Sequence, residues 1–192
     1  MKVLIISSGH SAPLTEAVSQ VNQFFSQSGI ETLLCIADES VQGCTGCGKC
    51  WKKHRCVFED GLNQAADQMD AIGGIIVLSD VIYGQLSEPL NDFMSRLTYC
   101  VSDRMADKPA AYIPCGRAYG AEQAVNRMQE YFSYAGMIIL SAKQHHLITA
   151  DSPDNEETVR ALCTRMKWLM HCLEAGEEHP EGTYTRTLDY VR

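Results

Sequence analysis

The chain has 192 residues, 45% of them apolar, with 16 basic against 24 acidic side chains and a formal charge of −8. That length suits one compact domain, and the acidic balance excludes the basic face that a nucleic acid or an anionic membrane surface requires. The longest apolar stretch, Ala71–Leu78, is far short of the roughly 20 residues that cross a bilayer. The opening MKVLIISSGH holds too brief an apolar run for a secretory signal, so a cytoplasmic protein is expected.

Lys2–Ser7 is a buried first strand that opens into Ser-Ser-Gly. Leu14, Ala17, Val21, Phe24 and Phe25 then recur at helical spacing, and Gly29 stands where a helix C-terminal glycine belongs. Glu31–Ile36 is a second strand, and residues 40–59 form an irregular, cysteine-rich loop. Leu62, Ala65, Ala66 and Met69 fit a short helix, and Ala71–Ser79 is a third strand apolar enough to be buried on both faces. Ser87–Cys100 is helical, with Leu90, Phe93, Met94, Leu97 and Val101 inward. Pro109–Cys115 is a fourth strand, Ala121–Ala135 a helix stopped by Gly136, and Met137–Ala142 a fifth strand. Ser152 and Pro153 read as the cap and first turn of a last helix, striped by Val159, Leu162, Met166, Leu169 and Leu173. A polar tail follows Gly176.

Five apolar strands alternating with helices make an α/β three-layer sandwich: a five-stranded parallel sheet with helices on both faces, of order 2-1-3-4-5. Ligands of such sheets bind outside the strand carboxyl ends, where the order reverses between strands one and three. Three segments meet there. SSGHSAPLT (7–15) is rich in hydroxyls at a helix start and suits a phosphate, although it has no lysine or arginine. SDVIYGQLSEPL (79–90) sets Tyr83 and Gly84 beyond a buried strand, where an aromatic can stack on a flat ring. CGRAYGAEQA (115–124) is a second flanking loop. Together they fit a planar cofactor with a phosphate tail.

Nine cysteines is an odd and high number for a protein of a reducing compartment. Cys35, Cys100, Cys115, Cys163 and Cys172 are dispersed and read as small buried apolar residues. The other four lie in CTGCGKCWKKHRC as Cys44, Cys47, Cys50 and Cys56. Two successive two-residue gaps bring three thiols to one centre, and the fourth completes a set suited to a cubane iron–sulfur cluster. The same set suits tetrahedral zinc, although zinc more often takes two separated knuckles, and a loop of free thiols is the third reading. Lys49, Lys52, Lys53, His54 and Arg55 surround the thiols and are expected to lower their pKa values. His54 is expected to be an exposed basic residue rather than a ligand.

With these segments in place, the chain resembles the flavodoxin-like NAD(P)H-dependent FMN reductases, and among them the iron–sulfur flavoproteins. The resemblance covers roughly residues 1–140 and is carried by KVLIISSG, CTGCGKCWKKHRC, IIVLSDVIYGQLSEPLNDFMSRL and CGRAYGAEQ. It implies a flavodoxin-like FMN domain over 1–175, with the cysteine loop at 43–57 and a C-terminal tail at 176–192. It implies FMN phosphate on Ser7, Ser8, Gly9, His10, Ser11 and Thr15. Ser79, Asp80, Val81, Ile82, Tyr83 and Gly84 would flank the isoalloxazine. Cys115, Gly116, Arg117, Tyr119, Gly120 and Glu122 would close the other side. A 4Fe–4S cluster would take the four clustered cysteines. NAD(P)H would donate hydride, and a small molecule or protein would accept the electrons. A homodimer or homotetramer with FMN near a subunit interface is implied as well. The chain departs from the family pattern in three places: the first loop lacks its arginine and has Leu14 for an asparagine, Asp80 replaces a proline, and Asn91 replaces a lysine. A carboxylate at Asp80 is expected to disfavour negative charge on a reduced ring. No general acid or base stands out. The rival readings are an electron carrier without its own substrate and a non-catalytic scaffold with a zinc or structural cysteine loop.

Overall fold

The computed structural model describes residues 1–116, 121–141, 148–149 and 152–176. Arg117, Tyr119, Gly120 and the tail beyond Gly176 lie outside them. In chain order the elements are β1 (Lys2–Ser8), α1 (Ala12–Gln27), β2 (Glu31–Ile36), α2 (Cys50–Lys53) and α3 (Gly61–Asp67). A 3₁₀ turn (Met69–Ala71) leads into β3 (Ile72–Asp80), α4 (Glu88–Met105), β4 (Pro109–Cys115), α5 (Ala121–Tyr134), β5 (Ile138–Leu140) and α6 (Asn155–Ala175). The five strands form one sheet of order β2-β1-β3-β4-β5, and every pairing is parallel. This is the expected topology.

The pleat divides the core. Leu4, Ile6, Leu33, Cys35, Ile75, Val77 and Ala110 face α3, α4 and α5. Val3, Ile5, Ile76, Leu78, Ala111, Ile113 and Cys115 face α1 and α6. Ile75 through Leu78 are fully buried, because β3 is central and covered on both sides. Each such side chain stabilises the fold by about 1.5–3 kcal/mol through burial. Ser11 caps α1, its hydroxyl accepting the Leu14 N–H at 3.3 Å, and Pro13 fits the first turn. Ser87 caps α4 in the same way through Leu90 N–H. Among the described residues no helix is long and apolar enough to cross a membrane.

Several expectations are corrected. The cysteine loop is not wholly irregular, since α2 forms one helical turn from Cys50, closed by His54 at φ 49°. The helix after β3 runs to Met105 and breaks at Val101, whose φ/ψ of −142°/25° is not helical. The residue before α6 is Asp154, and Ser152 stands before it without capping the helix. The buried stripe of α6 is Val159, Leu162, Cys163, Met166 and Met170, with Leu169 half-buried against the same core; Leu173 is exposed, one turn past the last inward position. Of the five dispersed cysteines, Cys172 is exposed and the other four are buried.

Candidate functional site

The carboxyl ends of β1, β3 and β4 bring the three expected loops to one edge. Ser7 and Ser8 are buried at the end of β1. The Ser7 carbonyl accepts the Ala37 N–H at 2.8 Å. The Ser8 hydroxyl donates to the Ala37 carbonyl at 2.7 Å, so its 2.7 Å contact with the Ser87 hydroxyl is one that Ser87 donates. These bonds tie the starts of α1 and α4 to the sheet end. Thr15 does not aim its hydroxyl at the loop, as it donates to the Ser11 carbonyl within α1 at 3.1 Å.

The turn between Ser8 and α1 is an anion cradle, and it holds Asp80. The His10 and Ser11 N–H groups each donate to Asp80 Oδ2 at 2.9 Å, and the Ser11 hydroxyl donates to Oδ1. The carboxylate therefore turns back into the first loop rather than out toward a flat ligand. Ser79 is fully buried and shares a 2.8 Å hydrogen bond with the Tyr112 hydroxyl. Burial pushes the Tyr112 phenol above its ordinary pKa.

Beyond Asp80, Val81 N–H donates to the Cys115 carbonyl at 2.8 Å. Ile82 and Gln85 then close a two-residue hairpin through reciprocal hydrogen bonds of 3.1 and 2.9 Å. Tyr83 and Gly84 form its tip at φ 49° and 80°. A turn with both central residues at positive φ favours Asn-Gly, since a tyrosine there is strained. Tyr83 is nonetheless 99% exposed, so no packing repays the strain; the turn displays an aromatic ring. Cys115 offers only backbone to this edge: its thiol is buried in the core, where burial raises its pKa to about 12. Gly116 is held by its N–H to the Ile148 carbonyl at 2.9 Å, and Glu122 is exposed in the first turn of α5.

The four clustered cysteines line a separate cavity of about 430 Å³ on the flank of α4. Cys44 and Cys47 are exposed, and Cys50 and Cys56 are half-buried. Gly46 and Gly48 adopt left-handed backbone conformations, at φ 67° and 66°. Gly46 N–H reaches Cys44 Sγ at 3.4 Å, and the Lys49 N–H is the main cause holding the Cys47 thiol below its ordinary pKa. The lysine charges matter less than expected. Arg55 turns away to Glu59 and Asp67, and His54 lies 3.7 Å from Asp103. Burial raises the Cys50 thiol instead.

Sequence reading missed the wall behind these thiols. Arg96 of α4 has a side chain only 1% exposed and forms a bidentate pair with Asp60, at 2.5 and 3.1 Å. Its Nη1 also donates to the Gln42 carbonyl at 2.9 Å, and its guanidinium lies 5.1 Å from the Phe58 ring centre. Its buried Nε has no hydrogen-bond partner, and the Cys56 thiol helps hold the guanidinium pKa above its ordinary value. Asn63 clamps the Cys56 segment, accepting the Cys56 N–H at 2.9 Å and donating to the Cys56 and Phe58 carbonyls at 3.2 and 2.9 Å. Cys100 is a fifth thiol lining the cavity, buried and hydrogen-bonded to Cys50. The signal for Arg96 was an arginine inside the apolar row Phe93, Leu97, Cys100.

The donor sets can be judged against the groups they suggest. The cradle's two N–H groups and hydroxyl fit one phosphate face, and Asp80 fills them. In the cavity, the donor type suits a thiolate-bound centre. As placed, no three Cys, His, Asp or Glu side chains among the described residues stand close enough to hold a metal.

The model of the family described as NADPH-dependent FMN reductase matches residues 1–150. An iron–sulfur flavoprotein of Methanosarcina thermophila is 28% identical over 138 residues, spanning 69% of this chain and 72% of its own. A second iron–sulfur flavoprotein, from Methanocaldococcus jannaschii, is 27% identical over 147 residues, spanning 73% of this chain and 76% of its own. Among solved structures, a WrbA-like flavodoxin from Agrobacterium tumefaciens superposes with a TM-score of 0.66 at 14% identity, over 88% of this chain and 97% of that one. A flavodoxin from the domain Archaea gives 0.63 at 13% identity, over 89% and 99%. Those two likenesses establish the flavodoxin-like fold. The chain belongs to the NADPH-dependent FMN reductase family.

Proposed function

We propose that this chain is an FMN-dependent oxidoreductase that takes hydride from NAD(P)H and passes electrons through a 4Fe–4S cluster to a small-molecule or protein acceptor. The observation that carries the reading is that Cys44, Cys47, Cys50 and Cys56 line one cavity of an FMN reductase scaffold. Bound FMN supplies redox chemistry that no side chain here provides. The chain's own residues bind and orient. The exposed Tyr83 ring and Ile82 flank the flavin ring, and a phosphate would have to take the His10 and Ser11 donors from Asp80.

At the second site the four thiols are the ligand set, and Arg96 is the cation that offsets their charge. Ser87 caps α4 at the strand-end edge, and the cavity-lining Arg96 and Cys100 stand nine and thirteen residues further along, so the helix separates the two sites by about 14–20 Å. A second copy of the chain would bring a cysteine cavity nearer to a neighbouring flavin edge, and homodimer or homotetramer assembly is part of this reading. It would also cover the exposed Tyr83 and Ile82.

The test is anaerobic addition of NADPH or NADH to the FMN-loaded full chain, followed by absorbance. Bleaching of the flavin is expected. If only a chemical reductant bleaches it, the chain is an electron carrier without its own nicotinamide site; if the chain takes up no flavin, the reading fails.

A further inference from the structure

The cradle at the head of α1 is filled by a side chain of the protein itself. Asp80 Oδ2 accepts the His10 and Ser11 N–H groups at 2.9 Å each, and Oδ1 accepts the Ser11 hydroxyl. Two amides and a hydroxyl at a helix N-terminus make the donor set that holds a phosphate oxygen face. Gly9 admits the carboxylate: its φ is 126°, and a Cβ there would collide with Asp80 Oδ2. The backbone delivers Asp80 to this place. It pairs with Cys115 at the end of β3, and the next residue's N–H is fixed to the Cys115 carbonyl at 2.8 Å. An occupant so tethered competes at high effective concentration. Residues 7–15 contain no lysine or arginine, so an incoming phosphate would meet a like charge with no permanent side-chain cation of that segment to offset it.

We propose that Asp80 sets the ligand specificity of this edge: its carboxylate competes with the 5′-phosphate of a flavin. The edge then takes a flavin by ring and ribityl chain and gains little from the phosphate. The flavin part rests on the proposed function, whereas competition for the cradle stands on the distances alone.

The test compares the full wild-type chain with Asp80→Ala, and with Asp80→Asn, which keeps an oxygen acceptor for the two amides should the alanine variant fold poorly. Inorganic phosphate is titrated while the His10 and Ser11 amide resonances are followed by NMR. Saturable shifts are expected in the variants and none in the wild type. Riboflavin and FMN are then titrated by flavin fluorescence. The wild type is expected to bind the two about equally. Asp80→Ala is expected to favour FMN by about tenfold or more, the worth of one charge-assisted hydrogen bond, with riboflavin affinity unchanged. Saturable phosphate binding at His10 and Ser11 of the wild type overturns the proposal, as does an unchanged FMN-to-riboflavin ratio in both variants. If phosphate titrates only the variants and neither flavin binds any of the three proteins, the competition stands and the flavin reading falls.

Discussion

At the strand-end edge, His10 and Ser11 direct their donors at a carboxylate of the same chain, while in the cysteine cavity Cys44 and Cys47 stand exposed in front of a tied wall of Arg96, Asp60 and Asn63. The first region has its binding groups assembled and occupied. The second has its support assembled and its ligands apart. The difference follows from where each group sits. Asp80 is carried by a central strand whose register leaves it no freedom, whereas Cys44 and Cys47 lie in a glycine-punctuated loop that must close around whatever it binds. An occupied cradle is a specificity device; an open thiol loop gathers its ligands only when a centre arrives, so that binding energy there is also ordering energy.

The contrast breaks most sharply at Arg96. Arg96→Met leaves Asp60, whose side chain is only 9% exposed, without its cation. Urea unfolding should show a loss of about 3–5 kcal/mol, and the cysteine loop should lose metal uptake while the strand-end edge keeps its ligand. Asn63→Ala removes the clamp on Cys56 more gently, at about 1–3 kcal/mol, read by the same unfolding and by slower loading with iron and sulfide.

A third prediction concerns the buried thiols. Burial raises Cys35 to about 11 and Cys115 and Cys163 to about 12, and it raises Cys100 as well. In the unfolded chain these thiols ionise near 8.5, so above that pH the unfolded state has lost protons that the native state keeps. Their stabilisation is complete below about pH 8.5 and is lost as pH rises toward the folded values, by about 1–2 kcal/mol per thiol at pH 10. Lys108 works the other way, because burial lowers it to about 8; its penalty is present below that pH and is relieved above it. Four thiols outweigh one lysine, so stability should fall from pH 8 to 10, and Cys163→Ala should flatten the fall. A rise in stability over that interval would contradict the assignment. The smallest effect is at the hairpin tip: Tyr83→Gly relieves left-handed strain of about 1–2 kcal/mol, partly offset by glycine's greater unfolded-state entropy. Melting should shift slightly upward while flavin affinity drops.

The strands were legible because a central parallel strand must be apolar throughout, and Glu31–Ile36 and Pro109–Cys115 begin and end where the composition changes. α4 was read too short because Ser102 and Arg104 follow Cys100 and hide the last turns, although Ser102 is buried. The three loops at the sheet end and the four-cysteine set were legible from topology and spacing. Asp80 in the cradle was not, since the carboxylate and its partners lie about seventy residues apart and only the sheet brings them together. Arg96 was missed for a related reason: a lone arginine on a helix usually reaches solvent, and only its burial against Asp60 and Cys56 reveals another use.

The account is tested most directly by purifying the full chain anaerobically and measuring flavin, iron and acid-labile sulfide on the same sample after FMN, iron and sulfide have been offered. It predicts one flavin and about four irons with matching sulfide per chain, with Cys50→Ser losing the iron and keeping the flavin. A chain that stays colourless, without flavin or iron, contradicts it.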